Sequence, residues 1–289
     1  MDAMSSPEVT IAGLRAGDPV DAIFACSRKD RLTARSGSPY LALELRDRTG
    51  AIQARAFRDA DVLSGRFERG DLVRVAGRVE RFRDELQLEI RNIAKAEQAD
   101  PAAFLPVAYR NIEELEGFLE HLAREVHDAA YATLLQRLLA DEPLRTQWRR
   151  APCTRQGHHA YLGGLLEHTV AVGTLALECA QLHPRLNPDL LVTAALVHDI
   201  GKTREFTYGA EIGLTEEGRL LGHIVLGQQL LDRYELPDDR RLALAHCVLT
   251  HHGAQNAPGG RFGSPEALAL YRLNALDASV KGALEHGLP

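Results

Sequence analysis

Histidine and aspartate residues stand together in this chain in a pattern that could bind a divalent metal. His198 and Asp199 are adjacent at the end of an apolar stretch, and Gly201 and Lys202 follow them. An imidazole beside a carboxylate suits Mn²⁺, Fe²⁺ or Mg²⁺ better than a thiolate site would. Since the lysine one turn further along could neutralise a phosphoryl oxygen, the segment predicts metal-dependent hydrolysis of a phosphate ester, with Asp199 and Lys202 as catalytic residues.

Further candidate ligands occur in other segments with helical periodicity. They are His168, His223, His251, His252, Asn274 and Asp277. A metal lowers the pKa of bound water toward about 7, and two ions roughly 3.5–4 Å apart hold the attacking and leaving oxygens of a displacement. The residue set therefore predicts a divalent cofactor, two ions of Mn²⁺ in the first instance, with Mg²⁺, Fe²⁺ or Co²⁺ as the other candidates.

Asp199 is the residue that we expect to bridge the two ions, because a carboxylate has two oxygens to share and an imidazole does not bridge. One ion would take His168, His198 and a residue of the last helix. The other ion would take His223, His251 and His252. The helices that carry these residues would then converge on one site.

Two pairs of residues leave alternatives open. Asn274 and Asp277 lie three residues apart on one face of the last predicted helix, and either could supply its metal ligand. His158 and His159 precede the helix of His168. They could contact substrate or metal, or they could cap that helix.

The cysteines and the hydropathy exclude several classes of protein. Cys26, Cys153, Cys179 and Cys247 are scattered, with no pair at zinc-clip spacing, so we expect packed, reduced thiols in a cytoplasmic protein and a metal held by nitrogen and oxygen. No apolar run approaches the roughly 18 residues of a membrane span. The acidic, polar start of the sequence is not typical of a signal peptide.

The first hundred residues predict a small β-barrel. Alternating apolar and polar residues indicate strands at 20–32, 40–45, 51–57, 71–82 and 85–93, with a short helix at 59–67. Five strands with a helix between the third and fourth match the order of an OB-fold. A polar stretch with alanine and proline at 96–106 predicts a linker.

The rest of the chain predicts helices. Apolar residues recur at three- and four-residue spacing in segments 111–126, 129–139, 162–182, 218–234, 238–250 and 265–283. Asp141 and Asn187 begin two more, the latter as an N-cap, and residues 207–215 predict a small hairpin. The fold class expected is multidomain α+β, with an OB-fold domain at 1–97, a linker and helical connector at 98–150, and an all-α metal-binding bundle at 151–289.

The predicted barrel carries a charge that suits a polyanion. Residues 20–95 hold 16 Lys and Arg against 12 Asp and Glu, whereas the remainder holds 18 against 28. Single strands bind such barrels by stacking on aromatic rings beside basic side chains. The candidates for nucleic-acid binding are Tyr40, Phe57, Phe82, Arg46, Arg55, Arg81 and Arg83.

The order of these motifs resembles a known family. His168, His198-Asp199 and the acid of the last helix resemble the HD-domain phosphohydrolases, and His223 with His251-His252 resembles their two-metal branch. The whole chain is similar to the YhaM-type 3′→5′ exoribonucleases. The similar segments are HHAYLGGLLEHT (158–169), HDIGK (198–202), LTEEGRLLGHI (214–224), THHG (250–253), FGSPEA (262–267) and, in the barrel, LELRDRTGAIQARAF (43–57).

The resemblance implies metal-dependent removal of nucleotides from the 3′ end of single-stranded RNA or DNA, with release of 5′-mononucleotides. One departure is that the family's usual first aspartate of the last helix is Asn274 here, a neutral and weaker ligand. Two alternatives stay open: a phosphodiesterase of small nucleotides or cyclic dinucleotides, and a catalytically weakened RNA-binding module. We expect no membrane partner, and a second copy of the chain is a candidate partner.

Overall fold

A computed structural model describes residues 9–34, 37–97, 99–209 and 211–287. The amino-terminal stretch and single residues of the predicted linker and hairpin lie outside these ranges. The described residues form two compact units. One contains the chain up to Leu105 together with Tyr208–Gly213, and the other contains Pro106–Thr207 and the chain from Leu214 onward. Three helices assigned from the sequence to a connector therefore belong to the second unit.

The first unit is a closed barrel with the strand order β1-β2-β3-β5-β4. Its strands are β1 (Pro19–Thr33), β2 (Pro39–Asp47), β3 (Gly50–Ala56), β4 (Leu72–Phe82) and β5 (Glu85–Lys95), and helix α1 (Ala60–Ser64) joins β3 to β4. The pairs are antiparallel except β3 with β5. The predicted five-stranded OB-fold barrel is confirmed.

Alternation of side chains along the strands fills the barrel. In β2, Leu41, Leu43 and Leu45 point inward and are buried, whereas the residues between them are partly exposed. Burying each leucine contributes about 1.5–3 kcal/mol. The β4–β5 turn places Arg83 and Asp84 at positive φ, the conformation that the right-handed twist of a two-residue hairpin requires.

The second unit is helical. The hairpin strands β6 (Phe206–Tyr208) and β7 (Ile212–Leu214) are divided between the units, since Tyr208–Gly213 belongs to the first. The helices of the second unit are α2 (Ile112–Arg124), α3 (Ala129–Ala140), α4 (Glu142–Arg150), α5 (Gly164–Leu182), α6 (Pro188–Val197), α7 (Lys202–Glu205), α8 (Glu216–Leu231), α9 (Asp238–Thr250) and α10 (Pro265–His286). None of the helices in the described part of the chain is long and apolar enough to cross a membrane.

Helix α6 lies at the centre of this unit. All residues from Leu190 to Val197 are buried, and a helix that is apolar on every side belongs in a core. Its start is set locally, since the Asn187 side chain accepts a hydrogen bond from the Leu190 amide at 3.1 Å. Helix α6 therefore delivers the residues that follow it, His198 and Asp199, to the inside of the bundle.

Candidate metal centre

Five helices bring the predicted ligands together. His168 lies in the first turns of α5, and His198 and Asp199 follow the last residue of α6. His223 lies in α8, and His251 and His252 follow α9. Asn274 and Asp277 lie in α10. The set that the sequence spreads over 110 residues is thus gathered around Asp199.

One half of the centre faces Asp199 Oδ2. The Nε2 atoms of His168 and His198 are 3.2 Å apart, and they lie 3.6 Å and 3.4 Å from Asp199 Oδ2. His198 Nδ1 donates to the Ala195 carbonyl oxygen at 2.8 Å. Burial lowers the pKa of His198 well below its usual value, so the ring is neutral and its Nε2 lone pair is available to a metal.

The other half faces Asp199 Oδ1. His223 Nε2 lies 3.3 Å and His251 Nε2 lies 3.4 Å from this oxygen, and His223 Nε2 is 3.1 Å from His252 Nε2. His251 Nδ1 donates to the Val248 carbonyl oxygen at 2.6 Å. As in His198, this hydrogen bond leaves Nε2 unprotonated in the neutral ring and directed inward.

Two buried atoms at the middle of the centre test whether a cation fits. Asp199 Oδ1 and His251 Nε2 are fully buried and have no hydrogen-bond partner among the described residues. A buried polar atom without a partner is costly, and both are good ligands for a divalent cation. The residues present therefore fit a divalent metal.

Lys202 forms a buried ion pair with the same carboxylate. Its Nζ lies 2.6 Å from Asp199 Oδ2 and 3.3 Å from Cys153 Sγ. Burial opposes both charges, but their mutual attraction outweighs it: the pKa of Lys202 is raised and that of Asp199 is held well below its usual value. The predicted phosphate contact of Lys202 is not tested by this geometry, which shows the ammonium bound to Asp199.

The last helix contributes two different contacts. Asp277 Oδ2 accepts a hydrogen bond from His168 Nδ1 at 2.6 Å, on the side of the ring away from the Nε2 that faces His198. Asn274 is buried, and its Nδ2 donates to the His251 carbonyl oxygen at 3.2 Å. Its amide oxygen is therefore the atom left for coordination, so the choice between Asn274 and Asp277 as the metal ligand of the last helix stays a prediction.

The histidine pair before α5 points to the same half of the centre. His158 Nε2 lies 3.6 Å from Cys153 Sγ, and burial lowers the pKa of His158 to about 4. His159 is buried, and its Nε2 lies 3.1 Å from Asp277 Oδ2. The residue at the N-cap of α5 is Gly163, so neither histidine caps the helix.

Two residues at the centre were not predicted. Cys153 touches the Asp199–Lys202 pair, and burial raises the pKa of its thiol to about 12. Glu205, at the end of α7, lies 3.5 Å from His223 Nδ1. No spacing signal could have found Cys153, whereas Glu205 stands six residues after Asp199 in the segment already singled out.

Among the described ligand candidates, the histidines on the Oδ1 side of Asp199 are the more exposed. His252 is exposed and His223 is partly exposed, whereas His168, His198 and His251 are fully buried. The Oδ1 side is therefore the more accessible half of the centre.

The barrel gathers most of the predicted nucleic-acid-binding residues into one exposed cluster, the aromatic patch. Tyr40 and Phe57 stack with ring centroids 5.4 Å apart. The Arg55 guanidinium lies 5.9 Å from the Tyr40 ring and 5.3 Å from the Phe82 ring, and that of Arg83 lies 5.3 Å from Phe82. Phe57 and Phe82 are about half exposed, at 49% and 48%.

Two predicted arginines lie outside the contacts of the aromatic patch. Arg46 is on the same strand as Tyr40 but six residues further along, about 20 Å away at the rise of a strand, where it lies 3.9 Å from Glu44. Arg81 is exposed on β4, and the ring contacts of the patch do not include it.

Comparisons with known proteins match both units. The family model of the HD domain matches residues 165–279, and that of the OB-fold nucleic acid binding domain matches residues 26–96. The 3′-5′ exoribonucleases YhaM of Listeria monocytogenes and of Bacillus velezensis are each 27% identical, over 94% and 91% of this chain and 89% and 86% of their own lengths. The second OB-fold domain of replication protein A from Methanococcus maripaludis aligns with 32% of this chain and 97% of its own, at 20% identity and a TM-score of 0.26. The predicted fold class and the predicted resemblance are confirmed.

Proposed function

Because the chain joins an OB-fold to an HD domain and is a relative of the YhaM-type exoribonucleases, we propose that it is a metal-dependent 3′→5′ exonuclease of single-stranded RNA. Single-stranded DNA is the alternative strand for the same chemistry, and 5′-mononucleotides are the products. The observation that carries the proposal is the position of Asp199, each of whose oxygens faces a separate pair of histidines within 3.3–3.6 Å.

The residues of the centre would form two neighbouring metal sites. His168, His198 and Asp199 Oδ2 would hold one ion, with Asn274 as the candidate from the last helix. His223, His251, His252 and Asp199 Oδ1 would hold the other. When bound, two such ions supply Lewis acidity and an activated water, and a set of nitrogen and oxygen ligands suits Mn²⁺.

Lys202 and the solvent-facing histidines set the approach of the substrate. Once Asp199 shares its charge with cations, the Lys202 ammonium is free to neutralise a phosphoryl oxygen in the transition state. The buried side of the centre excludes water from His168 and His198, while the scissile phosphate enters beside His223 and His252.

The free cysteines, three of them buried, are consistent with a protein that functions in the reducing cytoplasm.

The aromatic patch would bind the strand. Stacking of a base on an aromatic ring contributes about 1–3 kcal/mol and tolerates any sequence. Phe57 and Phe82 offer exposed rings and Tyr40 a partly exposed one, and Arg55 and Arg83 add charge beside them. This surface favours a strand over a mononucleotide or cyclic dinucleotide as substrate.

A degradation assay on labelled RNA tests the proposal. The wild-type protein with Mn²⁺ should shorten 5′-labelled single-stranded RNA stepwise from its 3′ end, and excess chelator should stop the reaction until Mn²⁺ is restored. The His198→Ala, Asp199→Ala double variant should lose turnover at least a thousandfold and still bind the strand.

Three results would contradict it. Intact RNA together with turnover of small nucleotides would identify a small-nucleotide phosphodiesterase. Tight RNA binding without bound metal or turnover would identify a non-catalytic module. Retention of activity by the double variant would show that the site is elsewhere.

A further inference from the structure

His168 has two ring nitrogens with different neighbours. Its Nε2 faces His198 and Asp199, where the first ion is proposed. Its Nδ1 lies 2.6 Å from Asp277 Oδ2. A metal-binding histidine commonly donates its second N–H to a carboxylate, which fixes the ring and makes the coordinating nitrogen more basic. Asp277 is placed to do this for His168.

The carboxylate of Asp277 also contacts His159. The same Oδ2 atom lies 3.1 Å from His159 Nε2, and His159 Nδ1 lies 2.8 Å from the Tyr161 hydroxyl. The chain of contacts continues outward, since Tyr161 donates to Glu167 Oε2 at 2.9 Å and Lys281 donates to Glu167 Oε1 at 2.9 Å.

The contact with Asp277 fixes which nitrogen of His168 carries the proton. A carboxylate accepts hydrogen bonds, and a neutral imidazole has a single N–H. Because Nδ1 is the nitrogen that lies 2.6 Å from Asp277 Oδ2, His168 carries its proton on Nδ1 and keeps a lone pair on Nε2, the tautomer that a metal needs. His159 lies against the same carboxylate oxygen and restrains its position.

The backbone of His159 is constrained by its conformation and by its hydrogen bonds. It is almost fully buried, and it has a φ of +51°, in the left-handed region that non-glycine residues rarely adopt. Its amide donates to Glu285 Oε2 at 3.0 Å, and its carbonyl oxygen accepts from the Cys153 amide at 3.0 Å. Gly164 passes so close to that carbonyl that a Cβ there would collide with it.

We propose that His159 and Asp277 are positioning residues that hold His168 in the orientation and tautomer required to coordinate the first ion. Asp277 is thereby removed from the set of direct ligands. The inference rests on the proposed function only in taking His168 as a ligand, and it assigns His159 to support of metal binding rather than to substrate contact or helix capping.

A Mn²⁺ titration of the full chain isolates this effect. His252→Gln removes a predicted ligand of the second ion, so that in this background the first ion is titrated alone by electron paramagnetic resonance. Adding His159→Gln should lower the Mn²⁺ affinity of the first site about 10- to 100-fold. Tyr161→Phe, a milder change, should also lower this affinity, by a smaller factor. His121→Gln, on the exposed face of α2, is the matched control and should leave it unchanged.

The same variants in the otherwise wild-type chain separate positioning from folding. There His159→Gln should lower the affinity for one Mn²⁺ ion and leave the affinity for the other unchanged. Its thermal unfolding midpoint should be close to that of His121→Gln. Unchanged Mn²⁺ affinity would overturn the inference, and so would a rise in KM for RNA with unaltered metal binding, or a wild-type chain that binds no Mn²⁺. If His159→Gln fails to fold, unchanged affinity in Tyr161→Phe overturns it. A wild-type protein that binds Mn²⁺ but degrades no RNA would contradict only the proposed function.

Discussion

At the scale of single residues, the pairing of Asp199 with Lys202 governs the centre. Both side chains are almost fully buried, at 2% and 5% exposure, and their charged atoms are 2.6 Å apart. Buried charges are tolerated when they are paired, and removal of one partner leaves the other without compensation. The carboxylate is thus needed for the folded state as well as for the proposed metal site.

We therefore predict that Asp199→Asn destabilises the metal-free protein. The Lys202 ammonium would stay buried beside a neutral amide, at a cost of about 3–5 kcal/mol in the free energy of unfolding. Urea denaturation in the presence of chelator measures this. The double variant Asp199→Asn, Lys202→Met should regain most of the loss, and a double variant no more stable than Asp199→Asn would contradict the explanation.

At the scale of elements, the close approach of α7 and α8 sets the distance from His223 to Asp199. Gly201 stands just before α7, and a Cβ at this position would collide with the backbone of His223 and Gly227. Backbone atoms cannot swing aside as a flexible side chain can. The absence of a side chain at Gly201 is what lets α8 bring His223 to 3.3 Å from Asp199 Oδ1.

Gly201→Ala should consequently push α8 away from the centre. We expect a loss of about 1–3 kcal/mol in the free energy of unfolding, as for other overpacked sites, together with weaker binding of the second Mn²⁺ ion. Gly117→Ala is the control, because that glycine lies exposed in α2 with open space around it. It should gain up to about 1 kcal/mol from helix propensity. Equal effects of the two substitutions would refute the packing argument.

At the scale of the whole molecule, the two tasks of the proposed function fall in different units. The ring contacts of the aromatic patch join residues of the barrel only, and the ligands around Asp199 belong to the helical unit only. Strand binding and hydrolysis should therefore respond to different substitutions.

Phe57→Ala should weaken binding of single-stranded RNA by about 1–3 kcal/mol, the stacking contribution of one base. It should leave hydrolysis of bis(p-nitrophenyl) phosphate unchanged, because that small ester needs no strand-binding surface. Fluorescence anisotropy and a colorimetric assay measure the two effects. Val62→Ala, which also truncates an exposed apolar side chain of the barrel unit, should change neither. Parallel losses in both assays would rule out the division of tasks.

The sequence by itself determined the elements and indicated the candidate ligands, because both depend on local patterns. Alternation in β2, helical periodicity in α5 and the side-chain cap at Asn187 act over a few residues, and His198-Asp199 is visible as adjacent letters. Only the tertiary structure decided that Asp277 contacts His168 Nδ1, that Lys202 binds Asp199, and that Cys153 lies beside them. The contacts of Asp277 and Cys153 join residues 109 and 49 positions apart and depend on how the buried faces of the helices pack, which no local pattern specifies. Asp199 and Lys202 are only three positions apart, but the burial that makes their ion pair strong comes from the same packing.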